Sequence, residues 1–230
     1  MRSFDQIYDI AASLKGGAAA LETIIARPLP TADLVAIGDD RWLSAMARAI
    51  FQAGFSWKVI DAKWDGFESA FDGFRPGRVA NYGPDDLDRL LADRGIVRNG
   101  PKISAVIENA VWLTDLAATH GSAGRCFAGW DDDDYIGLLD LLKSGGSRLG
   151  GNTGQRVLRN MGRSSFILST DVVARLIAEG VVDKDPKSKS DMKRVQAAFN
   201  EWRAQSGRSL TEISRVLAMS TGAQPPDEHP

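Results

Sequence analysis

LGGNTGQRVLRNMGRSSFILSTDVV, residues Leu149–Val173, joins a glycine-rich turn to two helical segments. Gly150, Gly151 and Gly154 open it as a tight turn, and glycine lets a backbone take positive φ and lie close to a ligand. Val157, Leu158 and Met161 then follow helical spacing as far as Gly162, and an extended connector delivers Asp171 to the start of a second apolar helix. Asn152 or Thr153 is placed to cap the first of these helices, which leaves free N–H groups suited to an anion such as a phosphate. Arg156, Arg159 and Arg163 fall at i, i+3 and i+7 and share a face. From Leu141 to Thr170 the chain carries Lys143, Arg148, Arg156, Arg159 and Arg163 and no acidic residue, a basic island in a protein of net charge −2. Two readings stand at this point. The turn is an anion-holding hairpin, or it is ordinary glycine punctuation with Asp171 favoured in a first turn by the helix dipole.

Composition bounds the rest. At 230 residues, 43% hydrophobic and 25% charged, the chain is long enough for a sizeable core and has the make-up of a globular protein. No apolar run approaches the roughly 20 residues that span a bilayer, and the N-terminus MRSFDQIYDIAASLKGG lacks the layout of a signal peptide. A single cysteine, Cys126, excludes an internal disulfide and a multi-cysteine metal site. These features give an expectation of a cytoplasmic protein with no membrane partner. With an acidic balance overall, any contact with nucleic acid must come from a local patch.

The periodicity predicts helices throughout. Residues 4–26 read as two helices broken at Gly16–Gly17, and residues 31–62 as helical, interrupted only near Gly54. Phe67, Phe71 and Phe74 stripe a short segment ending near Pro76; Pro84-Asp85-Asp86 starts another through Leu91. A turn at Ile96–Pro101 leads into a long helix from Lys102 to His120. Residues 121–134 read as a loop whose acidic end, Asp131–Asp134, is a solvated run capping a helix at Tyr135–Leu142. Further helices follow Asp171, surround Val195, Ala198, Phe199 and Trp202, and run from Leu210 to Met219 behind a Ser209 cap. The fold class is all-α: one helical domain over residues 1–221, built of two interleaved subdomains flanking a cleft, with a disordered tail over 222–230.

Residues 48–110 carry a more specific pattern. Gln52–Trp57 (QAGFSW), Asp85–Leu91 (DDLDRLL) and Ile96–Ala110 (IVRNGPKISAVIENA), at their observed spacing, resemble the 3-methyladenine DNA glycosylase I family. The hairpin at 141–173 extends the similarity to the wider helix-hairpin-helix DNA glycosylase superfamily. The resemblance implies hydrolysis of the N-glycosidic bond of a damaged, alkylated purine in double-stranded DNA. By the same resemblance, Trp57 is the base-stacking indole, with Gln52, Phe55 and Ser56 beside it in the base pocket, and Asp171 is the catalytic carboxylate. A flat indole suits an extruded base, more so one that carries positive charge. From the residues alone Trp57 also reads as ordinary core aromatic packing. The backbone of Gly151 and Gly154, with Thr153, Arg148, Arg156, Arg159 and Lys102, is expected on DNA phosphates.

Departures from the family pattern are equally specific. Its pocket glutamate falls on Ala49, its tyrosine-bearing segment has no counterpart before Asp39, and its zinc-binding cysteines and histidines are missing, leaving Cys126, His120 and His229. No metal or other cofactor is expected. Gln155 and Arg156 stand where bifunctional relatives keep a lysine nucleophile, which implies a monofunctional enzyme, expected to act as a monomer and to join the nucleoid when on DNA. A catalytically silent DNA-binding module of the same fold, and a helical interaction protein without a nucleic-acid role, are the competing readings.

Overall fold

The computed structural model of the protein describes residues 1–222, and the described part contains helices and no strand. In chain order these are α1 (Phe4–Leu14), α2 (Ala18–Ile24), α3 (Thr31–Ala36), α4 (Asp39–Gln52), α5 (Trp57–Ala62), α6 (Trp64–Ala70), α7 (Pro76–Val79) and α8 (Pro84–Ala92). There follow α9 (Gly100–His120), α10 (Ala123–Ala128), α11 (Tyr135–Gly145), α12 (Asn152–Asn160), α13 (Thr170–Ala178), α14 (Lys189–Ser206) and α15 (Leu210–Met219). Short 3₁₀ turns occupy Asp72–Phe74 and Asp132–Asp134. The expectation for the tail falls, Gly222 apart, on residues 223–230, outside the described residues. Among the described residues no helix is long and apolar enough to cross a membrane.

The chain divides into two compact units. One takes Met1–Leu29, Asp131–Ile136 and the chain from Gly162 onward. Its core is aromatic: Phe166 stacks on Phe199 at 4.4 Å between ring centres and meets Tyr135 edge-on at 4.6 Å, with Trp202 set edge-on to Phe199. The Trp202 indole N–H, buried with the ring, donates to the carbonyl of Arg2 at 3.1 Å, so the indole is satisfied while it ties the N-terminus down. Ser209 and Glu212 form a reciprocal capping box at α15, as the sequence leads one to expect.

Two sequence readings change in this unit. Arg163 is not on the face of a helix: α12 ends at Asn160, and Arg163 is buried and paired with Asp132, which also accepts from the Ser164 hydroxyl at 2.7 Å. The Asp131–Asp134 run is therefore not merely solvated. Asp132 and Asp133 meet the arginines Arg163 and Arg203, because a buried guanidinium must be paired to be tolerated.

The other unit takes Pro30–Trp130 and Gly137–Met161 and is built around α9, against which α4, α7, α8 and α10 lie. Ile103, Val106, Ala110 and Leu113 recur at helical spacing and bury α9's core-facing stripe. The α4 face of Trp42, Leu43, Met46, Ile50 and Phe51 is buried, and Phe51, Trp64, Phe67, Phe71 and Phe74 continue it as a chain of ring contacts. Residues 31–62 are three helices rather than one run, broken at Ile37–Gly38 and again at Ala53–Ser56. The loop expected over 121–134 contains α10, whose first turn is held from a distance: the Ala123 N–H donates to Asp39 Oδ1 at 2.8 Å. Burial pushes the Asp39 carboxyl above its ordinary value, against those backbone N–H groups, which favour its charged form.

Candidate functional site

The glycine turn lies between α11 and α12, and its conformation explains its composition. Arg148 sits at φ 58, a left-handed conformation that costs a non-glycine residue free energy and needs surrounding structure to enforce it. The enforcing contact is Asn109 on α9. Its buried amide donates from Nδ2 to the Ser147 carbonyl at 3.0 Å and accepts from the Ser147 N–H, through Oδ1, at 2.8 Å. Gly151, not Asn152 or Thr153, is the residue that precedes the first turn of α12; at φ 59 and ψ −139 it occupies backbone space open to little but glycine. No side chain caps α12, so its leading N–H groups are left for water or a ligand. Gly154 answers a different need. A Cβ there would stand 2.3 Å from the Leu149 carbonyl oxygen, so the absence of a side chain is what lets α12 close onto the turn.

Beside the turn is a cavity of about 370 Å³ lined by Ile50, Ala53, Lys102, Arg148, Gly150 and Thr153. Lys102, expected on a phosphate, is largely engaged within the protein. Its ammonium donates to the carbonyls of Phe51 at 3.0 Å and Ala53 at 2.7 Å, closing the carboxyl end of α4 and fixing where the next loop begins. Burial depresses its pKa below the ordinary lysine value, and the neighbouring Arg148 charge lowers it further.

That loop, Ala53–Ser56, is exposed and carries Phe55, which is 46% exposed, into Trp57 at the head of α5. Trp57 is 45% exposed, so it is not a core residue. Its ring is instead covered by the Arg156 guanidinium, 4.9 Å from the ring centre, which links α5 to α12. Gln52 is buried at the end of α4 and donates from Nε2 to Asp61 Oδ1 at 3.3 Å; Arg48 lies 3.7 Å from the same oxygen and over the face of Trp64. Ser56 is exposed, and its hydroxyl makes no capping bond to α5. Ala49 is buried and offers no polar group. Arg159 is half-buried on α12.

Trp57, Gln52, Phe55, Ser56, Lys102, Arg148, Gly151, Thr153, Gly154, Arg156 and Arg159 thus belong to one unit. Asp171 belongs to the other, where it is half-buried in the first turn of α13; Ser169, not Asp171, caps that helix by accepting from the Val172 N–H at 3.3 Å. Among the described residues the Asp171 carboxylate has no hydrogen-bond or ion-pair partner, so it is not committed to holding the fold. Sequence reasoning missed the structural duty of Lys102, the anchoring by Asn109 and the Gln52–Asp61 bond. Asn109 lies inside the quoted Ile96–Ala110 run, so a signal was present there, but its role requires knowing that α9 passes the turn.

The profile of the methyladenine glycosylase family matches residues 35–135. DNA-3-methyladenine glycosylase 1 of Escherichia coli (strain K12) is 41% identical over 59 residues, and DNA-3-methyladenine glycosylase of Haemophilus influenzae is 32% identical over 59. Each alignment covers 26% of this chain and 32% of the relative, so the matched stretch spans about a third of those curated relatives. The Methanocaldococcus jannaschii 8-oxoguanine glycosylase/lyase, solved with a 15mer DNA containing 8-oxoguanine, superimposes with a TM-score of 0.53 over 93% of this chain and 95% of that one. At 13% identity that likeness is one of fold alone. Over its matched stretch the chain is similar to the methyladenine glycosylase family, and its all-helical fold is similar to that of the 8-oxoguanine glycosylase/lyase.

Proposed function

We propose that the protein is a monofunctional base-excision repair glycosylase that removes alkylated purines such as 3-methyladenine from double-stranded DNA. The observation that carries this reading is Trp57: a large aromatic left 45% exposed, at the start of a helix, inside the stretch that matches the methyladenine glycosylase profile. An extruded base stacks on that indole, with Gln52, Phe55 and Ser56 around it, and stacking offsets part of the few kcal/mol that extrusion costs. The turn at Arg148–Gly154 and the unfilled first N–H groups of α12 hold phosphates, helped by Arg148, Arg156 and Arg159.

In the reaction the bond between the sugar C1′ and the base nitrogen breaks, and its electron pair leaves with the base. A purine alkylated at N3 is cationic and departs as a neutral molecule, so little acid assistance is needed. The sugar becomes oxocarbenium-like, and a water oxygen bonds to C1′. Asp171 is the carboxylate that stabilises the developing charge and takes the water's proton. No lysine stands at the hairpin position where a lyase would need its amine.

Methylated duplex DNA tests the reading. Release of 3-methyladenine, identified by mass in the soluble fraction, is the expected result, and the absence of any released base contradicts it. One observation favours a second reading, a catalytically silent DNA-binding protein: Ala49 is apolar where the resembled family keeps a glutamate. Salt-dependent duplex binding without base release selects that alternative.

A further inference from the structure

Arg156 is in an unusual position for a residue expected to grip DNA. Its guanidinium lies 4.9 Å from the centre of the Trp57 ring, on the side chain that the proposed reaction needs bare. Among the described residues it makes no hydrogen bond and no ion pair, so its N–H donors are not engaged with another protein group. It is half-buried, while Trp57 keeps 45% of its surface exposed, so the arginine covers the ring without sealing it. The two residues stand on different helices, α5 and α12, and α12 is the helix whose first turn no side chain caps.

We propose that Arg156 is a positioning residue that gates the base pocket, exchanging the Trp57 ring for a DNA phosphate when duplex is bound. This rests on the reading of Trp57 as a base-stacking group. In the unbound protein the guanidinium takes the ring face by cation–π attraction and repels a second cation. A free alkylated base, which is flat and can be cationic, must displace it without compensation. A phosphate beside α12 offers the planar guanidinium two charged acceptor oxygens at once, which a water-exposed indole face cannot match, so duplex draws the guanidinium away and bares the ring. The gate thus makes base entry depend on DNA contact, and it disfavours rebinding of the released base once DNA has left.

Arg156→Ala in the full chain tests this, with Arg156→Lys as its partner and a thermal melt to confirm folding. Alanine is favoured on a helix surface, so α12 is retained. Binding of free 3-methyladenine is read by tryptophan fluorescence with Trp57→Phe as reference, and duplex binding is read across a salt series. Arg156→Ala is expected to bind the free base roughly two- to fivefold tighter, the factor matching an exposed cation–π contact. The same variant is expected to bind duplex more weakly and to lose about one unit of salt slope. Arg156→Lys keeps the charge and is expected to retain the salt slope. Free-base binding that is unchanged, weakened or undetectable in both wild type and Arg156→Ala overturns the gate. Base release from methylated DNA by wild type, measured alongside, shows separately whether the glycosylase reading itself stands.

Discussion

Asn109 and Ser147 are joined by two hydrogen bonds, of 3.0 and 2.8 Å, between a buried side-chain amide on α9 and the backbone of the glycine turn. Asn109→Ala leaves the N–H and carbonyl of half-buried Ser147 without these partners, which costs about 1–2 kcal/mol. Urea unfolding is expected to show that loss, and duplex affinity to fall with it because Arg148 is no longer held at positive φ. Asn109→Ala with full stability removes the anchoring role.

Gly151 and Gly154 are expected to fail differently. Alanine at 154 places a Cβ 2.3 Å from the Leu149 carbonyl oxygen, so overpacking destabilises the unit by about 1–3 kcal/mol. Alanine at 151 meets nothing within 4 Å, and its cost, also about 1–3 kcal/mol, comes from backbone strain alone. Gly151→Asn, whose side chain tolerates positive φ better than alanine's does, is therefore expected to recover part of the loss at 151, while no substitution recovers 154. Thermal melts of the three variants decide it.

Lys102→Met separates two roles. If the ammonium serves Phe51 and Ala53, removing it lowers stability by about 1–2 kcal/mol and slows excision by releasing the loop before Trp57, with the salt slope of DNA binding unchanged. A slope reduced by about one, at unchanged stability, would instead restore the phosphate contact that the sequence suggests.

Glu68 gives the pH dependence a sign. Burial would raise its pKa, but hydrogen bonds from Arg41, Ser44 and the Trp64 indole outweigh burial and hold it below the ordinary 4.5. A carboxyl with a depressed folded value contributes stability that is present above 4.5 and is lost as pH falls through the folded value. Glu68→Gln is expected to lower stability at neutral pH and to flatten the acid limb of a stability–pH curve; an unchanged acid limb counts against this cluster.

The helical class was legible because Trp42, Leu43, Met46, Ile50 and Phe51, and likewise Val195, Phe199 and Trp202, repeat at helical spacing, and Ser209 stands ahead of α15 as its cap. The misses share a physical cause, which is dependence on residues far away in sequence. α10 is six residues long and leans on the carboxylate of Asp39. Arg163 continues the spacing of Arg156 and Arg159, but the chain has already left the helix, and burial against Asp132 decides its place. Within the candidate site, Trp57 and the glycine turn could be picked out from the sequence. The stacking of Arg156 on Trp57 could not, since nothing local pairs residues on α5 and α12.

Single-turnover excision from a duplex carrying one 3-methyladenine, compared among wild type, Trp57→Ala and Asp171→Asn, reads out both the stacking ring and the carboxylate. Wild type is expected to release the base. Trp57→Ala is expected to be slower by roughly 10- to 100-fold, in line with the loss of one stacking contact. Asp171→Asn is expected to be slower by at least about 100-fold while still binding duplex. Excision at the full wild-type rate by Asp171→Asn or by Trp57→Ala would contradict the account.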